Sequence, residues 1–344
     1  MRSAAALALL YVCVSRAQTP ACTPLQTKID SAMKALDQSR IHDAEQDLSA
    51  IEGARNECPA VLLVMARVRA SQRNLEESRK LFERYMRTLP NDAEGPVQWG
   101  RVLLRAGGFP QAEAMADRAL ELNAEHSGAL GLKGQLLVMR REPEEGRKLL
   151  QKAIEIDPGN SDAHFQLGAF FDRRKQHEDA VKQFEAVAAL TPADPRAFDY
   201  LALNLEQMGE SERAEAAFKK GLAVNSGLLS DSFLDFNYGR FLLKQNRLAD
   251  SKMHLDRAAE LAPGVRAVLY ERGKLNLRLQ RYADAAHDGE RALETPDPGH
   301  VILDLQVYYL LAEAYARLGD TDRATSFTNL AKTAGIPPKS AERR

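Results

Sequence analysis

"QLGAFFDRRKQHEDAVKQFEAVAALTP", residues 166–192, decides how this chain folds. It holds a Leu-Gly pair at 167–168, a polar interruption at 173–179, and a second run carrying Ala180, Phe184 and Pro192 at fixed offsets. Taken alone it reads as one amphipathic hairpin. Moved along the chain in steps of 34 residues, the same spacing returns. Gly168 is preceded at that interval by Gly134, Gly100, Ala66 and Ala32, and followed by Ala202. Three extra residues then enter within "NSGLLSDS", and the series resumes at Gly239 and Gly273. Five more enter within "TPDPGHVILD", and it ends at Ala312. Twelve residues after each of these stands a second small residue: Ala44, Ser78, Ala112, Gly146, Ala180, Ala214, Ser251, Ala285 and Ala324. A fixed period of this length marks a stacked array rather than a single globule.

Numbered within each copy, the small residues occupy positions 8 and 20, and a large apolar residue such as Phe82, Phe184, Phe218 or Leu255 occupies position 24. Small residues at 8 and 20 let the backbones of two helices approach, and the large one fills the adjoining gap. Copies three and eight depart at position 24, with Ala116 and Gly289. Pro90, Pro158, Pro192 and Pro263 stop the second helix. Asp or Ser soon after the stop, in "PND", "PGNSD" and "PADP", is placed to cap the next first helix. No copy can bury its apolar faces alone, so neighbours must stack.

This pattern resembles the tetratricopeptide repeat, W-x2-L-G-x2-Y followed by A-x3-F and a closing P. Copy five keeps Leu167, Gly168, Phe171, Ala180, Phe184 and Pro192; copy six keeps Leu201, Ala202, Ala214 and Phe218. The resemblance implies an all-α, right-handed superhelical solenoid of about nine helix-turn-helix repeats over residues 25–338. Its copies start near residues 25, 59, 93, 127, 161, 195, 232, 266 and 305. In the last copy, Thr328 stands where earlier copies carry Phe or Leu, giving a more polar outer face of the kind a terminal repeat needs. Residues 339–344 read as a disordered tail.

The 344 residues are 44% hydrophobic and 28% charged, with 47 basic against 48 acidic side chains, so no basic excess invites nucleic acid. Aromatic residues make up 6%, and Trp99 is the single tryptophan, which is lean for one large core. Residues 1–17 read as a secretory signal: Arg2, an apolar run from Ala4 to Val14 too short to span a bilayer, and Ser15-Arg16-Ala17 as a cleavage site. Residues 18–24 form a short N-terminal segment. A secreted or periplasmic chain cut after Ala17 keeps Cys22 and Cys58, which either pair as a disulfide or stand as two thiols. Lipid anchoring at Cys22 is disfavoured, because the usual aliphatic residue three positions before it is missing.

A search for chemistry assembles no catalytic constellation and no metal set. His42, His126, His164, His177, His254, His287 and His300 fall at no common ligand spacing. "AGGF" at 106–109 is followed by neither Lys-Ser nor Lys-Thr, as a phosphate loop would be. The expectation is a non-enzyme with no cofactor. On the first helix of each copy, positions 5, 9 and 13 share one stripe. The family resemblance implies that this stripe lines a concave groove that binds extended peptides. It carries Arg67, Arg101, Arg105, Phe165, Arg173, Phe236, Arg240, Lys244, Tyr270, Lys274, Arg278, Tyr309 and Arg317. Ring plus cation at one-turn spacing would cradle an acidic or extended protein segment. The expected function is therefore an interaction scaffold. The alternatives are a structural subunit of an envelope assembly or secretion machine, peripherally associated with the envelope, and a regulatory subunit of an enzyme complex.

Overall fold

The computed structural model describes residues 20–37, 40–140, 142–225 and 232–334. The leader with its cleavage site, most of the three-residue insertion, and the tail lie outside them. Among the described residues there are eighteen α-helices and no strand, arranged as nine hairpins. These are α1 (Gln26–Asp37) with α2 (Ile41–Ile51), α3 (Pro59–Ser71) with α4 (Leu75–Thr88), and α5 (Glu94–Arg105) with α6 (Phe109–Leu122). Next come α7 (Ser127–Met139) with α8 (Pro143–Ile156), α9 (Ser161–Arg173) with α10 (His177–Leu190), and α11 (Pro195–Gln207) with α12 (Ser211–Val224). The last three are α13 (Ser232–Lys244) with α14 (Leu248–Leu261), α15 (Arg266–Arg278) with α16 (Tyr282–Glu294), and α17 (Asp304–Leu318) with α18 (Thr321–Ala334). The chain is an all-α helical repeat solenoid. It divides into two compact units, one ending at Ala193 and the other beginning at Asp194.

Local chemistry sets each boundary. α4, α8, α10 and α14 stop two residues before Pro90, Pro158, Pro192 and Pro263, because proline bars helical geometry in the residue it follows. Between the helices of a hairpin, position 15 takes a left-handed backbone: Arg73, Gly107, Lys175, Gly209, Asn246, Gln280 and Gly319 all have φ between 57° and 81°. Lys175 lies in the polar interruption quoted above, of which residues 174–176 form a tight turn while His177, Glu178 and Asp179 already belong to α10. The caps refine the expectation. In "PGNSD" the cap is Asn160, whose side chain accepts from the Ala163 amide at 3.0 Å. Ser161 and Asp162 are already helical there, so the residue before them has the extended geometry a cap requires. Asp194 caps α11 through the Arg196 amide, also at 3.0 Å.

The hairpins are held where the period placed the small residues. All nine position-20 residues are buried, and so are eight of the nine at position 8; Ala312 of the ninth copy is half-buried. Phe82, Phe184, Phe218 and Leu255 at position 24 are fully buried. In copy four the approach is backbone to backbone: a Cβ placed on Gly146 would stand 2.5 Å from the Gly134 carbonyl oxygen. Ser78 and Ser251 use the same proximity differently, their hydroxyls donating at 2.8 Å to the carbonyls of Ala66 and Gly239.

Copies three and eight, which lack a large position-24 residue, are filled from the next copy. Leu132 covers Gly100, with a Cβ at that glycine only 2.6 Å from Leu132 Cδ2. Leu310 covers Gly273 and Gly289 in the same manner. Both leucines sit at position 6 of their own copies, where the other copies carry polar residues, Tyr200 or Val64. At the far end α18 is less polar than Thr328 suggested. Phe327 stacks between Tyr308 and Tyr315 at 6.2 and 5.8 Å, and Leu330 is 42% exposed.

At the near end a disulfide joins Cys22 to Cys58, both buried among α1, α2 and α3. It closes a loop of 36 residues, and in the chain-entropy account such a loop is worth about 4 kcal/mol.

Gly146→Ala is the sharpest test of the hairpin contact. Alanine gains about 1 kcal/mol of helix propensity, but a carbonyl oxygen cannot swing aside as a side chain can. A net loss of about 1–3 kcal/mol is expected, read as a lower urea midpoint. Gly53→Ala, where nothing lies within 4 Å of the new Cβ, should not lose stability. Equal behaviour of the two variants would refute the contact as the constraint.

Candidate partner-binding face

In the first unit the stripe of first-helix residues is only partly open. Arg67 is 7% exposed and its guanidinium turns onto the Met33 sulfur at 3.5 Å, so it packs inside the N-terminal core. Arg101 reaches Asp162 two copies away at 3.0 Å. Arg105 is exposed at the end of α5, and Arg173 is exposed with its Nε donating to the Ala169 carbonyl. Phe165 is half-buried, its ring edge-on to Phe184 at 5.6 Å between centroids.

In the second unit Phe236 is 9% exposed and packs against Leu243, Leu255 and Val268, which removes it from any surface that meets a ligand. Arg240 and Lys244 both turn to Glu206, whose side chain is nine-tenths buried. Arg278 donates at 2.8 Å to the Leu243 carbonyl and to Asn246 Oδ1, satisfying the C-terminal end of α13. Lys274 stands over the Tyr270 ring at 5.4 Å and pairs with Glu271 at 2.8 Å. Tyr309 is 57% exposed, with Arg317 exposed two turns further along α17 and Glu313 exposed between them.

The stripe is thus less basic than positions 5, 9 and 13 suggested. Its cations are offset by Asp162 at position 2, Glu206 at position 12 and Glu271 at position 6. These acids were legible one by one, but pairing them with the stripe required knowing which residues of neighbouring copies face one another. What remains open on adjacent first helices is Tyr270 with Lys274 and Tyr309 with Arg317. Among the described residues no cluster of three or more His, Cys, Asp or Glu could hold a metal, and no helix is long and apolar enough to cross a membrane.

Family models described as tetratricopeptide repeat match residues 29–93, 97–161 and 239–301, residues 137–203, and residues 305–332. This chain is a tetratricopeptide repeat protein. Proteins with this array are generally protein–protein interaction scaffolds. The array is similar to the BBSome complex member BBS4 of Bos taurus, 24% identical over 217 residues, which are 63% of this chain and 40% of that protein. It is 26% identical over 121 residues to the mitochondrial import receptor subunit TOM70 of Homo sapiens, covering 35% of this chain and 20% of that one. The chain therefore spans less than half the length of either relative. Among solved structures, PilW, a type IV pilus biogenesis factor, superposes with a TM-score of 0.54 at 15% identity, over 62% of this chain and 95% of PilW. That likeness is one of fold.

The array is also stitched by buried polar groups, and one of them titrates. His126 accepts from the Ala129 amide at Nδ1 to cap α7, and its Nε2 faces Glu94 at 3.4 Å on the preceding first helix. Gln98 donates to Glu94 at 2.7 Å. Burial alone would raise the Glu94 carboxyl, but the hydrogen bonds from His126 and Gln98, with the charge of Arg101, outweigh it and hold the group at about 2. A folded value below the ordinary 4.5 means the stabilisation is complete above that pH and is lost as pH falls through 2. Its size is about 3 kcal/mol at most. Wild type should exceed Glu94→Gln in urea stability at neutral pH, with the gap closing between pH 4.5 and 2. A gap independent of pH would exclude Glu94 as the titrating link.

Proposed function

We propose that this chain is a non-catalytic scaffold that holds an extended segment of a partner protein on the first-helix face of its eighth and ninth copies. The observation that carries this is the exposed Tyr309 ring beside Arg317 on α17, next to the Tyr270–Lys274 pair on α15. An aromatic ring that a folded chain leaves 57% exposed has area to offer an apolar side chain of a partner. The neighbouring cations then meet a carboxylate or backbone carbonyls of the same segment. Because Glu271 and Glu313 share this face, an acidic partner contributes single carboxylates rather than an acidic run.

Capture from a native envelope fraction tests the face. The variant Tyr309→Ala/Arg317→Glu/Lys274→Glu should retain its helicity and lose about tenfold or more of the partner recovered by wild type. Equal recovery would overturn the reading.

We infer further that the chain works outside the cytosol. The N-terminal apolar run supports this, and so does the buried Cys22–Cys58 bond, since such bonds persist in oxidising compartments. Native protein should be exported, begin at Gln18 and carry the bond intact. A cytoplasmic chain beginning at Met1 with both thiols reduced would sink the inference.

A further inference from the structure

The five-residue insertion between the eighth and ninth copies shapes a site distinct from the first-helix face. Asp297 Oδ2 accepts from the Ile302 amide at 2.8 Å, closing the segment into a compact turn, and Ile302 is buried beside Leu269, Val307 and Leu311. The anchored turn walls a cavity of about 580 Å³ together with the end of α16, the start of α15 and the last residue of α18. Leu293, Ile302, Leu303 and Leu305 supply its apolar lining, while Leu303 at 53% and Val301 at 68% remain exposed on the turn.

Two features say what this cavity would take. Arg266 lines it with nine-tenths of its side chain buried; its Nη2 pairs with Asp304, but its Nε–H is buried without a hydrogen-bond partner. That nitrogen is sealed within the wall, and what a ligand would meet is the apolar surface of Leu293 and the exposed Leu303. The second feature is charge. Arg266 and Asp304 cancel each other, which leaves Glu294 and Asp297 as the net charge of the lining. A site that is apolar and carries two carboxylates is complementary to a peptide with an aliphatic side chain next to a lysine or arginine.

We propose that this cavity is a second docking site, which binds an extended segment of a partner protein carrying Leu, Ile or Val beside Lys or Arg. The aliphatic side chain packs on Leu293 and Leu303, and the cation faces Glu294 and Asp297. The site is independent of the Tyr309 face: it lies at the helix ends and the insertion, and its lining is net acidic whereas the Tyr309 face carries both signs.

The test is selection of a displayed random heptapeptide library on the full-length chain, followed by titration of one enriched sequence as a capped synthetic peptide. Enrichment of Lys or Arg within two residues of Leu, Ile or Val is expected. Glu294→Lys, at an exposed residue, should weaken the peptide about tenfold or more, with an unchanged unfolding midpoint. Tyr309→Ala/Arg317→Glu should bind the peptide as wild type does. Absence of such enrichment, or equal binding by Glu294→Lys, would overturn the proposal. So would loss of binding in the Tyr309→Ala/Arg317→Glu chain, which would assign the peptide to the first-helix face. Binding seen only in a chain ended at Ala334 would give the cavity to residues 335–344 and equally overturn a partner in trans.

Discussion

Position 8 of each first helix touches position 20 of the second helix in the same hairpin, and the closeness of that contact governs the rest of the fold. Where both are glycine, at Gly134 and Gly146, no side chain separates the backbones. Where position 20 is serine, the hydroxyl donates across the gap to the facing carbonyl, from Ser78 to Ala66 and from Ser251 to Gly239. Glycine, alanine and serine thus answer one steric demand by three routes. Once the backbones are this close, the space beside them has a fixed size, and a large residue must fill it. Phe82, Phe184, Phe218 and Leu255 do so from within the hairpin, whereas Leu132 and Leu310 do so from the copy that follows.

That difference separates what could be read in the sequence from what could not. The contact within a hairpin depends on a separation of twelve residues, which repeats identically in every copy, so the fold class was legible once the Gly168–Ala180 spacing was followed along the chain. Filling from a neighbour depends on how successive copies are rotated. The apolar residues at position 6 after the weak position-24 sites were present in the sequence, but no single-copy pattern gave them meaning. The same blindness inflated the basic stripe. Arg101 and Lys244 look uncompensated within their copies, and their acids, Asp162 and Glu206, belong to other copies. Arg67 and Phe236 were misplaced for a related reason: helical phase puts them on the stripe, and packing against neighbours buries them.

Between copies the array relies on polar pairs as well as apolar filling. Asn237 donates both amide hydrogens' worth of contact to Asp199, at 2.9 and 3.1 Å, from one first helix to the preceding one. Asn160 donates to Ser127 at 2.7 Å in the same sense while its own oxygen caps α9. Within the eighth copy, Arg272 and Asn276 on α15 both donate to the buried Asp288 on α16. Buried polar groups add little net stability over apolar ones of the same shape, but leaving one unmet is expensive. A slipped or exchanged copy would strand the Asn237–Asp199 and Asn160–Ser127 pairs, so these two fix which copy follows which in an array whose apolar slots are nearly interchangeable.

Interchangeable packing also bears on where function can reside. Residues at positions 8, 20 and 24 answer to the hairpin, and those at position 15, such as Lys175 in the opening stretch, answer to a left-handed turn. Neither set can vary freely to suit a ligand. Freedom exists where a packed helix leaves a ring uncovered or the period breaks. On the first helix of the ninth copy Tyr309 stands exposed. The insertion after α16 departs from the 34-residue register, and there a buried guanidinium keeps an unmet donor beside a cavity. Both exceptions fall in the final two copies. This end of the array is therefore where selection for a partner could act without disturbing the contact that makes the fold.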